Sequence, residues 1–187
     1  SPADPITISG DGITTGANGT IVGGAVTLNS GTGDVVLNGA TNAGLFSSTG
    51  VNFTNNGTIG ANGVTLTHSG VVTLNNTVGA DSGALSITGA TSITDASSAL
   101  SGTGITLHSS GAISVGGSID GLTGAVALTS DTSSVSATGG INGLSAILTG
   151  STTITVGAVT TTGGNITLIG PTSITLQGDL NAGSSNV

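Results

Sequence analysis

Apolar-x-apolar triplets recur through this chain about every twenty residues, in series that keep step with one another. The first series reads Val26-Thr27-Leu28, Val64-Thr65-Leu66, Leu85-Ser86-Ile87, Ile105-Thr106-Leu107, Val126-Ala127-Leu128, Ala146-Ile147-Leu148 and Ile166-Thr167-Leu168. Leu45-Phe46-Ser47 fills the beat between residues 28 and 64. The second series reads Val35-Val36-Leu37, Val51-Asn52-Phe53, Val72-Thr73-Leu74, Ile113-Ser114-Val115, Val135-Ser136-Ala137, Ile154-Thr155-Val156 and Ile174-Thr175-Leu176, with Ile93-Thr94-Asp95 breaking the pattern. A third series sets one aliphatic before a Gly-rich corner: Ile21, Ile59, Val78, Leu100, Ile119, Ile141, Val159 and Leu180.

Alternation of period two within each triplet is strand geometry, with the outer members facing a core and the middle one facing out. In that reading Phe46 points outward and Phe53 inward. Gly, Asn, Asp and Ser between the triplets tolerate tight corners. Hairpins use such corners too, but a coil that returns to stack on itself explains a period shared by three series. The expected fold is all-β, a single-stranded right-handed parallel β-helix of about eight coils of roughly 20 residues. It is expected to span residues 1–187 as one domain, with partial edge coils at 1–10 and 178–187, where Pro2, Asp4 and Pro5 can block an open edge. A narrow interior repeated in register has room for Val, Ile, Leu and Ala but little for rings, in keeping with two Phe and no Trp or Tyr.

Charge sets limits on partners. The chain has no Lys, Arg or Glu; its eight charged residues are all Asp, and its net charge is −8. Without cations it cannot neutralise phosphates, so nucleic acid and anionic lipid headgroups are not expected partners. No apolar run approaches the length of a membrane-spanning helix, so membrane insertion is not expected. Without Cys there is no disulfide or zinc-thiolate staple. A chain lacking Lys and Arg offers trypsin no cleavage site, which suits life outside the cell. The opening Ser1-Pro2-Ala3-Asp4 lacks a basic region and an apolar stretch, so it reads as mature chain or excised fragment rather than signal peptide.

Enzymes that act on polysaccharides need clustered carboxylates, whereas Asp34, Asp81, Asp120 and Asp179 fall at different phases of the repeat, so no catalytic residue is assigned. Asp turns at Gly10-Asp11-Gly12 and Asp120-Gly121 lack the spacing of calcium-loaded rolls, and no metal or cofactor is expected. His68 and His108 read as solvated corner residues two coils, near 10 Å, apart, too far to share an ion. The candidate binding face is the outward row of the second series: Thr73, Thr94, Ser114, Ser136, Thr155 and Thr175, preceded by Val36 and Asn52. Flat hydroxyl ladders of this kind can bind ice or glycan. This row, though, lacks the doubled Thr-x-Thr of a two-column array.

The coil pattern, as in Gly164-Asn165-Ile166-Thr167-Leu168 followed by Ser173-Ile174-Thr175-Leu176 and a Gly-rich corner, resembles the repeats of filamentous-haemagglutinin-type exoproteins and related large bacterial adhesins. The likeness covers roughly residues 6–182. It implies a right-handed β-helical shaft, exported and held at or released from the bacterial cell surface. The family's amino-terminal secretion motif is not visible in this sequence. A structural or adhesive extracellular role follows as the expectation, with a surface glycan, a host or cell receptor, or further copies stacked through the solenoid ends as partners. A ligand-binding solenoid is the alternative, and a polysaccharide-degrading enzyme the weakest reading.

Overall fold

Three strand runs per turn, each hydrogen-bonded to its equivalents one turn before and after, build the whole molecule. The computed structural model describes residues 4–183, and among them every strand pairing is parallel and no helix occurs. A nine-stranded sheet carries the second series in sequence order, from Ile13–Thr14 through Val35–Leu37 and Phe53–Asn55 to Ser173–Leu176. The first and third series share a second, 15-stranded sheet. The architecture is therefore a β-solenoid of about nine turns, one more than the sequence suggests, because Ile6–Ser9 and Ile13–Thr14 already form a turn of their own. Pro2 lies outside the described residues.

Equivalent aliphatics stand directly over one another. Leu66, Ile87, Leu107, Leu128, Leu148 and Leu168 are successive Cα partners. Val72, Ile93, Ile113, Val135, Ile154 and Ile174 do the same in the nine-stranded sheet. The interior positions from Val26 to Val159 are buried in one continuous core. Corners continue the ladder: the Asn56 amide donates to Asn38 Oδ1 at 2.8 Å, and the Asn75 amide to Asn56 Oδ1 at 2.8 Å. Such side-chain ladders satisfy turn groups that the sheets leave unpaired.

The large sheet forks. In the early turns the third-series and first-series runs form single strands, Ile21–Asn29, Thr41–Gly50 and Ile59–His68. Ile59 and Val64 lie five positions apart, but their partners Val78 and Leu85 lie seven apart. The two extra residues, within Asp81-Ser82-Gly83-Ala84, lift the chain out of the sheet, and Val78–Ala80 and Leu85–Ala90 become separate strands.

Two assignments from the sequence are corrected by register. Phe46 pairs with Val26 and Val64 and is 1% exposed, whereas Leu45 is 60% exposed. The inward frame is therefore Phe46-Ser47-Ser48, shifted one residue from the expected triplet, and a one-residue shift exchanges the faces. In the second series Phe53 aligns with Val35 and Val72, so the outward residue is Thr54 and not Asn52. Asn52 sits at the corner instead, donating to Asp34 Oδ1 at 2.9 Å and accepting from the Val71 amide at 2.7 Å. Both misreadings share one physical cause. This turn houses both aromatics, with ring centroids 6.5 Å apart, and offsets their bulk with Ser48 and Asn55 where neighbouring turns place Leu66 and Leu74. Polar residues at inward positions erased the triplet signature.

Because each inward aliphatic fills a layer between two others, Leu107→Ala should cost about 2–5 kcal/mol. Thr106→Ala, next to it on the outside, should cost under about 0.5 kcal/mol. Urea unfolding midpoints of the two variants check the contrast.

Candidate functional site

Outward positions are free of packing demands, so binding chemistry is to be sought in their columns. On the nine-stranded face, register stacks Thr14, Val36, Thr54, Thr73, Thr94, Ser114, Ser136, Thr155 and Thr175. The expected row is thus brought together as a single column, with Thr54 replacing Asn52. Its members are exposed or half-buried.

The first-series face carries two columns. The inner one runs Thr7, Thr27, Ser47, Thr65, Ser86, Thr106, Ala127, Ile147 and Thr167. The second runs Ser9, Asn29, Thr49, Thr67 and Thr88, then His108, Thr129, Thr149 and Ile169. A bulge at Thr88-Gly89 separates its two halves, and Gly89, at φ 79°, adopts a left-handed conformation that suits glycine. Turns such as Thr65-Leu66-Thr67 therefore present paired hydroxyls about 6.6–6.8 Å apart along the strand and about 4.8 Å apart between turns. The sequence reading missed this second column because Thr67 and Thr149 follow the last aliphatic of their triplets and look like the start of a corner.

The carboxylates serve corners. Asp34 Oδ1 accepts from the Asn52 backbone amide at 3.1 Å, and Asp120 Oδ1 accepts from the Leu122 amide at 2.9 Å. Asp95 stands at an inward position in register with Leu74 and Val115 and is 2% exposed. It accepts from the amides of Ser98 and Gly117 at 3.1 and 3.0 Å and from the Ser98 hydroxyl. That network explains why the repeat tolerates an acid at this beat. Among the described residues no three His or Asp side chains group as ion ligands.

The histidines differ from each other, and one differs from the expectation. His108 is exposed and its Nε2 lies 2.9 and 3.0 Å from the Asp131 carboxylate oxygens. His68 is not a solvated corner residue: it is 1% exposed. Gly50, its register partner one turn below, leaves room for the ring, which lies 5.1 Å from that of Phe53, centroid to centroid. Its Nε2 is 3.1 Å from Ser48 Oγ, and Nδ1 has no partner. Burial pushes the imidazole down to about 4 from 6.5, against the opposing pull of the Asp34 carboxylate.

A lowered imidazole pKa means that between pH 6.5 and 4 the unfolded chain takes up a proton that the folded chain refuses. Stability therefore falls as pH drops through this window, by up to about 3 kcal/mol. His68→Gln, which keeps a partner for Ser48, should remove that part of the slope. Unfolding free energies of both proteins at pH 7 and pH 4.5 provide the check, since the eight Asp residues are common to the two.

No family model, curated protein or solved structure matches this chain, so its function has to be argued from the chemistry of these faces.

Proposed function

We propose that this chain is a structural and adhesive β-solenoid working outside the cell, a shaft segment or fibre subunit extended by stacking turn on turn. One observation carries the reading. The aliphatic layer on the last described turn is open: Ile174, Leu176 and Leu180 are 43%, 52% and 40% exposed. Their partners one turn below, Ile154, Val156 and Val159, are fully buried. At the opposite end Ile8, also at an inward position over Leu28, is 37% exposed. Further turns set on that layer, whether of the same chain or of another copy, would remove apolar surface from water and continue the strand pairing. The lack of Lys and Arg and the resemblance of the repeats to those of large bacterial adhesins support the extracellular setting.

Self-association of this kind works against the like charge of the copies, −8 each, so it should strengthen as salt screens that repulsion. Electron microscopy and sedimentation at rising protein and salt concentration should show end-to-end rods, and Leu176→Asp should shorten them. Monomers under every condition would count against stacking.

The paired hydroxyl columns of the first-series face favour a second reading, binding to an ordered water surface such as ice. Thr and Ser there repeat along two neighbouring columns, one of them interrupted at the Thr88-Gly89 bulge. Thermal hysteresis that disappears in Thr65→Lys/Thr67→Lys is the expected result; the absence of both hysteresis and ice shaping removes this reading.

A further inference from the structure

The third-series face differs from the other two because its outward column loses its side chains midway. Register stacks Val22, Asn42, Gly60, Gly79, Ser101 and Asp120. Many glycines of this coil are forced by close backbone approach: a Cβ at Gly39 would collide with the Gly19 carbonyl, and one at Gly117 with the Ser98 carbonyl. Gly60 and Gly79 are under no such demand. A Cβ on Gly60 meets no heavy atom within 4 Å, and one on Gly79 meets the side-chain oxygens of Asp81 and Ser101 at 3.3 and 3.4 Å and the Ile59 carbonyl oxygen at 3.8 Å, an ordinary contact distance. Neither has a left-handed φ. In a strand, glycine is otherwise a cost, and Thr or Val would hold it better.

The consequence of these two glycines is a hollow. Outward residues alternate, so Thr58 and Thr77 stand on one side of the glycine column, and Asp81 stands on the other, at the two-residue insertion that forks the sheet. Along the solenoid axis it runs from Val22 past Asn42 to Ser101, about four strand spacings, or roughly 19 Å. The open cavity measures about 490 Å³. Its floor offers no free strand edge to an extended peptide, because the amides there are committed: Ile59 N donates to Thr77 O at 2.9 Å and Val78 N to Ala99 O at 3.0 Å.

Beside the exposed aliphatic Val22, the groups that remain to meet a ligand are side-chain hydroxyls, one carboxamide and one carboxylate. That set pairs with hydroxyl groups, the carboxylate accepting from them and the amide both donating and accepting. Anionic sugars are disfavoured by Asp81 and by the absence of any Lys or Arg in the chain. We propose that the hollow over Gly60 and Gly79 is a binding groove for a neutral, hydroxyl-rich glycan lying along the solenoid axis. The groove stands apart from the stacking ends, so its failure and the failure of end-to-end assembly are separate results.

The test is a ¹H–¹⁵N titration of the whole chain with cellohexaose, laminarihexaose and mannohexaose, with hexagalacturonate as the acidic control. At least one neutral hexasaccharide should shift the amides of Asn42, Gly60, Gly79 and Ser101. The double variant Gly60→Thr/Gly79→Thr should stay folded, with an unfolding midpoint at or above that of the parent, and bind at least ten-fold more weakly. Asp81→Asn reports separately on the carboxylate and should weaken neutral binding several-fold. No shift with any neutral probe, shifts away from the groove, undiminished binding by the filled variant, or preference for hexagalacturonate each overturns the proposal.

Discussion

Parallel hydrogen bonding between successive turns is the interaction on which everything else in this molecule rests. Each strand is both template and partner, so the backbone of one turn dictates where the next must lie and which of its side chains face in. Aliphatic layers such as Leu66, Ile87 and Leu107 follow from that alignment, and burying them drives the stack while the backbone pairing fixes its register. A slip of one residue would turn a whole strand inside out. Several exceptions to the pattern are accommodated by a neighbour: Phe46 with Ser48 beside it, His68 above Gly50, and Asp95 held by Ser98 and Gly117.

The same constraint separates the interior from the outward columns. Packing restricts inward positions to small and medium aliphatics, while the outward ones answer mainly to water and whatever binds there. In this chain they hold Thr, Ser and Asn with a few carboxylates and no cation, so the surface speaks in hydroxyl and amide hydrogen bonds. Where carboxylates occur they are mostly engaged in corners, as Asp34 and Asp120 are. The three faces nonetheless differ. One presents a single hydroxyl column, one a paired column, and the third a hollow where two glycines stand without packing need.

Polar groups within the core have consequences of a different kind. His68 is desolvated and its Nδ1 is unpartnered, as are Thr41 Oγ1 and Asn55 Oδ1 in the turn below. Buried polar atoms without partners cost stability, and all three lie around the turn that also houses the aromatics. The least regular layer of the solenoid is therefore also where acid acts on it.

The amino-acid sequence by itself determined the solenoid: phase-locked aliphatics at Val64, Leu85, Ile105 and Val126 admit a parallel stack and little else, because only one turn of chain can bring them into a column. It also determined a surface without Lys or Arg. The faces of individual residues were legible wherever inward positions kept their aliphatics, as at Thr73, Ser114 and Thr155. They were illegible where the core itself turned polar, so Phe46, Asn52 and His68 were misplaced. Only the tertiary structure decided those frames, since inter-turn hydrogen bonding overrides a local alternation signal that Ser48 and Asn55 interrupt. It alone set the Thr65 and Thr67 columns side by side on one face, and it alone distinguished glycines demanded by backbone contact from Gly60 and Gly79, because that difference lies in the space around a missing Cβ.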